Sequence, residues 1–359
     1  MDLVLIIFSL LLIVMSVLPF VKNQHWVFRV PEFMKVQLLV LQGLSLALNI
    51  FLLEKNLWFW VINGVQVVLV AYHFYILIRY TKFYRKKVAS HNGNAQTIKV
   101  ISANIYQFNS KYEKFHQLIR NYSPDVFITF ESNAAWEEAN RTLEKEYPHT
   151  QKMTLENTYG MHLYSKIPFD SAQFHFFVAE DIPSVEVHFT TSEGHKFVLF
   201  GVHPPPPSPT EERTSKERDG DLLALAKRIK AMDLPSLVIG DFNTVAWSDT
   251  SILFRKTSEL IDARVGRGIL ATFHAKYWFF RVPLDLLFHS PDIMIEKLQT
   301  LEDIGSDHFP IYCAFYLNPS DPTQEDEVKT LDEDEGEEVD ELIEEGKNEV
   351  TDNRSGHRN

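Results

Sequence analysis

Three apolar runs fill most of the first 78 residues of this 359-residue chain, and they limit its possible folds more than any other feature. Leu3–Phe20 and Val36–Leu53 carry no charge, and Leu57–Ile78 holds only His73 among its potential ions. Each approaches the ~20 residues that cross a ~30 Å hydrocarbon core. Three in succession are hard to bury inside one soluble domain. The first lacks the positive leader and small-residue cleavage site of a signal peptide. Residues 1–87 therefore read as a membrane anchor with three transmembrane helices at about 3–20, 36–53 and 57–78. Asn49, Asn63 and His73 within them read as hydrogen-bond partners between helices. Lys22, Arg29 and Lys35 flank the first two spans. Arg79, Lys82, Arg85, Lys86 and Lys87 come after the third, whereas the opposite side carries only Lys55. The positive-inside rule then places the C-terminal domain in the cytoplasm.

A polar linker, 88–97, precedes alternating strand and helix signals that run from 98 to 318. Mixed elements over that length predict two packed sheets with helices outside. Residues 319–359 read as a disordered acidic tail. Of the chain's 48 acidic and 35 basic residues, 16 and 4 lie beyond position 320, so the rest is close to neutral. It has no basic surplus for gripping a phosphate backbone non-specifically. A single cysteine, Cys313, excludes an internal disulfide framework and a cysteine-built zinc site.

Within the domain, Leu237-Val-Ile-Gly-Asp-Phe-Asn243 reads as a buried strand whose end delivers Asp241 and Asn243, with Gly240 permitting a sharp turn. Alone, this pattern also fits an Asx-type turn closing a strand. The same placement recurs along the chain. Asn104 follows Val100-Ile101, Glu131 follows Val126–Phe130, and His203 follows Phe197–Val202. Asp285 lies within Pro283–Phe288, and Asp307-His308 precede Phe309-Pro310-Ile311. If the strands lie side by side, one sheet edge collects these groups, where ligand sites of α/β folds form. Carboxylates and carboxamides gathered there suit a hard divalent cation and activated water.

The ordered pieces Ser-Ala-Asn104, Phe-Glu131, Gly160-Met-His-Leu-Tyr-Ser-Lys166-Ile-Pro, Val-His203-Pro, Gly-Asp241-Phe-Asn243, Pro-Leu-Asp285 and Gly-Ser306-Asp307-His308-Phe-Pro resemble the endonuclease/exonuclease/phosphatase superfamily. The resemblance covers about Lys99 to Tyr316. It implies a four-layer α/β/β/α sandwich, here preceded by three transmembrane helices, and a metal-dependent hydrolase of phosphate ester bonds. It implies Glu131, Asn104 and Asp307 as ligands of Mg²⁺, with Mn²⁺ as the alternative ion. Asp241 is implied as orienter or base for water, Asn243 as its positioner, and His308 (paired with Asp285 or Asp307) and His203 as donors to the phosphoryl group. Lys166 stands where many relatives have arginine. With Arg218 and Trp247, it is implied to contact substrate. Three spans ahead of the domain, His203-Pro-Pro-Pro-Pro207 and Arg218-Asp219 look most like the membrane-anchored bacterial branch of teicoplanin-resistance-type proteins. This implies a cell-membrane location, a bilayer partner and a lipid-linked phosphate ester or pyrophosphate. In that branch the domain faces outward, opposite to the loop-charge reading. A membrane-tethered nuclease acting on nucleic acid and a non-catalytic scaffold are the alternatives.

Overall fold

The computed structural model describes residues 2–84 and 95–349. Arg85, Lys86, Lys87 and most of the expected linker lie outside them. The chain opens with α1 (Asp2–Val17), α2 (Trp26–Phe33), α3 (Lys35–Leu52) and α4 (Leu57–Leu77). The segments Asp2–Phe20, Lys35–Leu52 and Leu57–Tyr80 are long and apolar enough to cross a membrane. The length and composition of these helices support membrane association. Their large apolar side chains point outward, among them Leu3, Val4, Leu44, Phe51 and Val68. Polar side chains are turned inward instead. Asn49 donates to Ser9 Oγ (3.0 Å) and Asn63 Oδ1 (3.1 Å), Gln42 donates to Ser16 Oγ (2.7 Å), and His73 Nε2 meets the same hydroxyl at 3.1 Å. A polar group facing hydrocarbon is costly, so such groups join helix to helix.

The short helix α2 was not expected from the sequence. It runs across the end of the bundle and ties it to the segment that leads into α7 of the sandwich. Trp26 N donates to Arg213 O (2.9 Å), and Ser215 N donates to Gln24 O (2.8 Å).

One six-stranded sheet contains β1 (Ile98–Asn104), β2 (Val126–Phe130), β3 (His149–Met153), β4 (Met161–Ser165), β11 (Ile293–Thr300) and β12 (Ile311–Leu317). Its order is β11-β12-β1-β2-β4-β3. The other contains β5 (Ser171–His175), β6 (Ser184–Thr190), β7 (Lys196–Val202), β8 (Ser236–Asp241), β9 (Ile261–Asp262) and β10 (Asp285–His289), in the order β5-β6-β7-β8-β10-β9. Val100, Ile128, Leu163, Val187, Leu199, Ile239 and Phe315 fill the space between the sheets. Outside the first sheet lie α5 (Tyr112–Tyr122) and α6 (Ala134–Asn140), packed through Phe115, Ile119 and Trp136. Outside the second lie α7 (Lys216–Lys230), α8 (Asp249–Ser258) and α9 (Glu333–Asn348). The architecture is a four-layer α/β/β/α sandwich.

The glycine in the 237–243 stretch has a different reason from the one expected. Gly240 lies inside β8, and a Cβ there would sit 2.1 Å from Val202 O on β7, so close backbone approach excludes every other residue.

The tail corrects a sequence expectation. Residues 319–359 were expected to be disordered, yet 322–327 form a 3₁₀ turn and 333–348 form α9, while 350–359 lie outside the described residues. Asp332 and Glu335 make a reciprocal capping box at the start of α9. Val339 and Ile343 are buried against α7, with Leu331 and Leu342 partly buried beside them. Lys227 pairs with Asp340, Lys256 with Glu335, Lys22 with Glu338 and Lys216 with Glu349. A charge count over the tail averages away this apolar stripe and cannot register bases supplied by other elements.

A second charged cluster lies beneath α7. The buried Glu186 of β6 accepts from Arg228 Nε and Nη2 (both 3.1 Å) and lies 2.8 Å from His175 Nε2 and 2.6 Å from His188 Nε2. Burial alone raises this carboxyl's pKa; Arg228, His188 and His175 outweigh it and bring it down to about 2. A pKa depressed in the folded state adds stability above the unfolded value near 4.5, and that stability is lost as pH falls toward 2. Glu186→Gln is expected to cost about 2 kcal/mol at neutral pH. Chemical denaturation from pH 7 downward should show the gap between wild type and variant closing below pH 4.5, toward 2. A gap independent of pH would disprove the ionic account.

Candidate active site

The sandwich brings the strand-end residues to one edge. Asn104 and Asp241 close β1 and β8, while Glu131 and His203 follow β2 and β7 directly. The strands β10 and β12 run antiparallel to β8 and β1, so their first residues share that edge. Asp285 opens β10 opposite Asp241, and Asp307-His308 lie shortly before β12. Parallel strands contribute their carboxyl ends, and antiparallel neighbours contribute their starts.

Hydrogen bonds link these groups. Asn104 Nδ2 donates to Glu131 Oε1 (2.9 Å) and Asp241 Oδ2 (3.1 Å), bridging two carboxylates. The second oxygen of Glu131 accepts from the backbone of Gln107 (3.0 Å). His308 Nδ1 lies 2.8 Å from Asp285 Oδ2, and its Nε2 lies 3.4 Å from Asp241 Oδ2. His203 Nε2 is 3.8 Å from the same Asp241 oxygen, whereas its buried Nδ1 has no hydrogen-bond partner among the described residues. Asn243 donates its backbone N–H to Asp241 Oδ1 (3.0 Å) and its amide to Pro204 O (2.9 Å). Ser306 Oγ donates to Asn104 O (2.8 Å) and accepts from His308 N (3.1 Å), locking the 306–308 turn onto β1.

Two residues of the site have a strained backbone. Glu131 and Asn243 have φ of 61° and 50°, a left-handed conformation that costs a non-glycine residue roughly 1–2 kcal/mol. The hydrogen bonds above hold both in place, and such strain is typical of functional sites. The Glu131 turn also depends on Gly160, where a Cβ would lie 1.9 Å from Ser132 O.

The electrostatics favour the charged form of His308 and the neutral forms of two acids. Burial lowers the pKa of the His308 imidazole, but Asp241, Asp285 and Asp307 outweigh it and push it up to about 10. The imidazole is thereby held in its charged form between the Asp285 and Asp241 side chains. Burial raises the Asp285 carboxyl, and the Asp241 charge adds to this while His308 opposes it. Burial likewise raises Glu131, against the pull of His203, the Gln107 N–H and Asn104.

Glu131, Asp241, Asp285 and Asp307 are gathered around two histidines, more negative charge than the site's own side chains neutralise. A divalent cation fits this donor set, and two groups of residues could hold it. Asp241, Asp285 and His308 bring one ligand atom each within 4.8 Å of one another. However, a charged His308 offers its two ring nitrogens as donors to those carboxylates. The Glu131, Asn104 and Asp307 oxygens are also of the kind a hard cation takes.

Three residues expected to contact substrate lie elsewhere. Lys166 follows the far end of β4: Met161 pairs with Phe130 at the site edge, whereas Ser165 pairs with Val126, four residues or about 13 Å away. Its ammonium donates to Ser123 Oγ (2.6 Å) above the Tyr147 ring. Arg218 is buried behind the site, where it bonds Asp219 and donates to Asn243 O (3.0 Å). It supports the site from behind and has no face toward substrate. Trp247 is buried against α2 and donates Nε1 to Glu32 O at 2.9 Å. Conversely, sequence reasoning passed over Gln107 and Tyr159. Tyr159 lies beside the His203 ring and bonds Glu211, and its place just before Gly160 was the available signal.

The family model described as Endonuclease/Exonuclease/phosphatase family matches residues 101–308. A comparison with curated proteins finds no match. Among solved structures, D. rerio TDP2 complexed with single strand DNA product is 19% identical with a TM-score of 0.53, covering 61% of this chain and 99% of that one. The human Nocturnin catalytic domain with bound sulfate anion is 17% identical with a TM-score of 0.51, covering 62% and 95%. An endonuclease/exonuclease/phosphatase from Bacteroides vulgatus is 17% identical with a TM-score of 0.51, covering 62% and 100%. At these identities the structures establish likeness of fold. With a family match over more than half its length, this chain belongs to the endonuclease/exonuclease/phosphatase family.

Proposed function

We propose that the chain is a membrane-anchored, divalent-metal-dependent phosphohydrolase that cleaves a phosphate ester or pyrophosphate by attack of water. The observation that carries this reading is the continuous network Glu131–Asn104–Asp241–His308–Asp285, in which a carboxylate base lies beside an imidazolium.

Asp241 orients the attacking water and accepts its proton; the Asn243 N–H and the Asn104 amide fix its oxygens. His308, its charge held by Asp285, donates toward the phosphoryl group. His203 turns its Nε2 toward Asp241 (3.8 Å), from where it can donate to the same phosphoryl group. Glu131, Asn104 and Asp307 would hold Mg²⁺, or Mn²⁺ in its place, and the ion supplies Lewis-acid stabilisation of phosphoryl charge. Most of the acceleration arises from placing these groups before the reaction begins.

The anchor supports a substrate at the membrane. Confinement to two dimensions raises the enzyme's effective concentration over lipids. The test is hydrolysis by the purified full chain with Mg²⁺ or with EDTA, offered a lipid phosphate, a lipid pyrophosphate, an abasic duplex and single-stranded DNA. EDTA-sensitive release of phosphate from a lipid substrate is the expected result. Cleavage of nucleic acid alone would move the protein to the nuclease reading, and hydrolysis indifferent to EDTA would remove the metal.

A further inference from the structure

The strand β10 is preceded by a segment that carries exposed aromatic residues in succession: Tyr277, Trp278, Phe279 and Phe280, with Trp278 77% exposed. Single exposed aromatics are ordinary, but four together form an apolar patch that calls for an occupant. The location of the patch identifies one. Gln37, in the first turn of α3, donates Nε2 to the carbonyls of Phe279 (3.2 Å) and Arg281 (3.1 Å). The turn is thereby fixed to the end of a span, at the level where a bilayer meets water and where Trp and Tyr side chains are most stable. Lys276 beside it is exposed, with a charge suited to anionic head groups.

The same segment reaches the site. Ala275 N donates to Asp307 O at 2.6 Å, and the Phe273 ring lies 4.9 Å from that of His308. Arg281 Nη2 donates to Ala275 O (2.8 Å), and its guanidinium lies 4.7 Å from the Phe309 ring. One braced loop thus joins the end of a membrane span to the residues around His308. The site's other anchor-facing rim, 242–248, seats Trp247 against α2 and Tyr80.

Accordingly, we propose that the Tyr277–Phe280 turn is a membrane-inserted rim of the catalytic site, and that it admits phosphate groups of lipids whose chains remain in the bilayer. The proposal rests on the membrane-anchored phosphohydrolase reading and narrows its substrate to an amphiphile loaded from the membrane plane.

The test uses the full chain in phosphatidylcholine–phosphatidylglycerol vesicles. Trp278→Cys is labelled with an environment-sensitive fluorophore; the native Cys313 is buried. Spin-labelled lipid should quench position 278 as it quenches Leu44→Cys on the outer face of α3, and should leave Ser192→Cys at the opposite sheet edge unquenched. Quenching at 44 without quenching at 278 overturns the proposal while leaving the anchor intact, and a probe at 278 that is shielded yet unquenched indicates a protein partner and overturns it equally. Replacing Trp278, Phe279 and Phe280 with serine should lower the ratio of turnover on vesicle-embedded lipid phosphate to turnover on a soluble short-chain ester about tenfold. Equal loss on both substrates means a structural role for the turn and overturns the proposal. Failure of the wild type on both substrates would count against the hydrolase reading, and the quenching comparison would still decide the position of the loop.

Discussion

Alanine at Asp241 or at His308 is expected to lower kcat by about 10³-fold or more while the chain still folds and inserts into the membrane. The two side chains meet at 3.4 Å and perform opposite tasks, so neither can substitute for the other. Removing Asp241 takes away the carboxylate that orients water and leaves Asn104 with one acceptor in place of two. Removing His308 takes away the imidazolium and leaves Asp241 and Asp285 as a buried pair of acids without the cation between them. Because the pair acts as a unit, the double variant should be scarcely slower than either single variant, a non-additivity expected of groups working in one step. Steady-state hydrolysis with Mg²⁺ measures the effect. Near wild-type turnover in either single variant would remove these residues from the chemistry, and fully multiplicative losses would show that they act separately.

Truncation after Val328 is expected to cost on the order of 5 kcal/mol, from two fully and two partly buried apolar side chains at about 1.5–3 kcal/mol per full burial. Val339 and Ile343 are the fully buried pair, and Leu331 and Leu342 the partial one. A domain is typically stable by only about 5–15 kcal/mol, so the loss is large. The contact is also close at the backbone level: Gly346 lies so near α7 that a Cβ there would be 2.7 Å from Lys216 O. The loss should reach the site, because α7 carries Arg218, which holds the carbonyl of Asn243. Denaturation midpoints of full-length and truncated chains test this, and Val339→Asp should reproduce most of the effect without shortening the chain. Identical midpoints would show that α9 merely rests on the surface.

Much of this architecture was legible in the order of residues alone. The three long apolar helices are continuous apolar runs, and Lys35–Leu52 and Leu57–Leu77 fall within a residue of the expected bounds. Asn104, Glu131, His203, Asp241 and Asp285 each adjoin a run of apolar residues, so their gathering at one edge follows once the strands pair. The misplaced residues were of another kind. Lys166 was chosen from a motif on β4, but only one end of a strand faces the site, and the antiparallel register puts this residue at the other. Arg218 and Trp247 stand close in sequence to the chemistry and serve it from behind, one on Asn243 O and one on Glu32 O.

The chain's own patterning therefore determined which segments are apolar, which strand ends carry acids and where the long apolar helices stop. These properties depend on neighbours one to a few residues apart. Folding alone decided that Asn104 bridges Glu131 and Asp241, that His308 is charged between two carboxylates, that an acidic tail becomes a structural helix, and that an aromatic turn lies beside the start of α3. Each of these depends on burial and on charges brought from distant positions or from another element, and such terms exist only once the layers have packed.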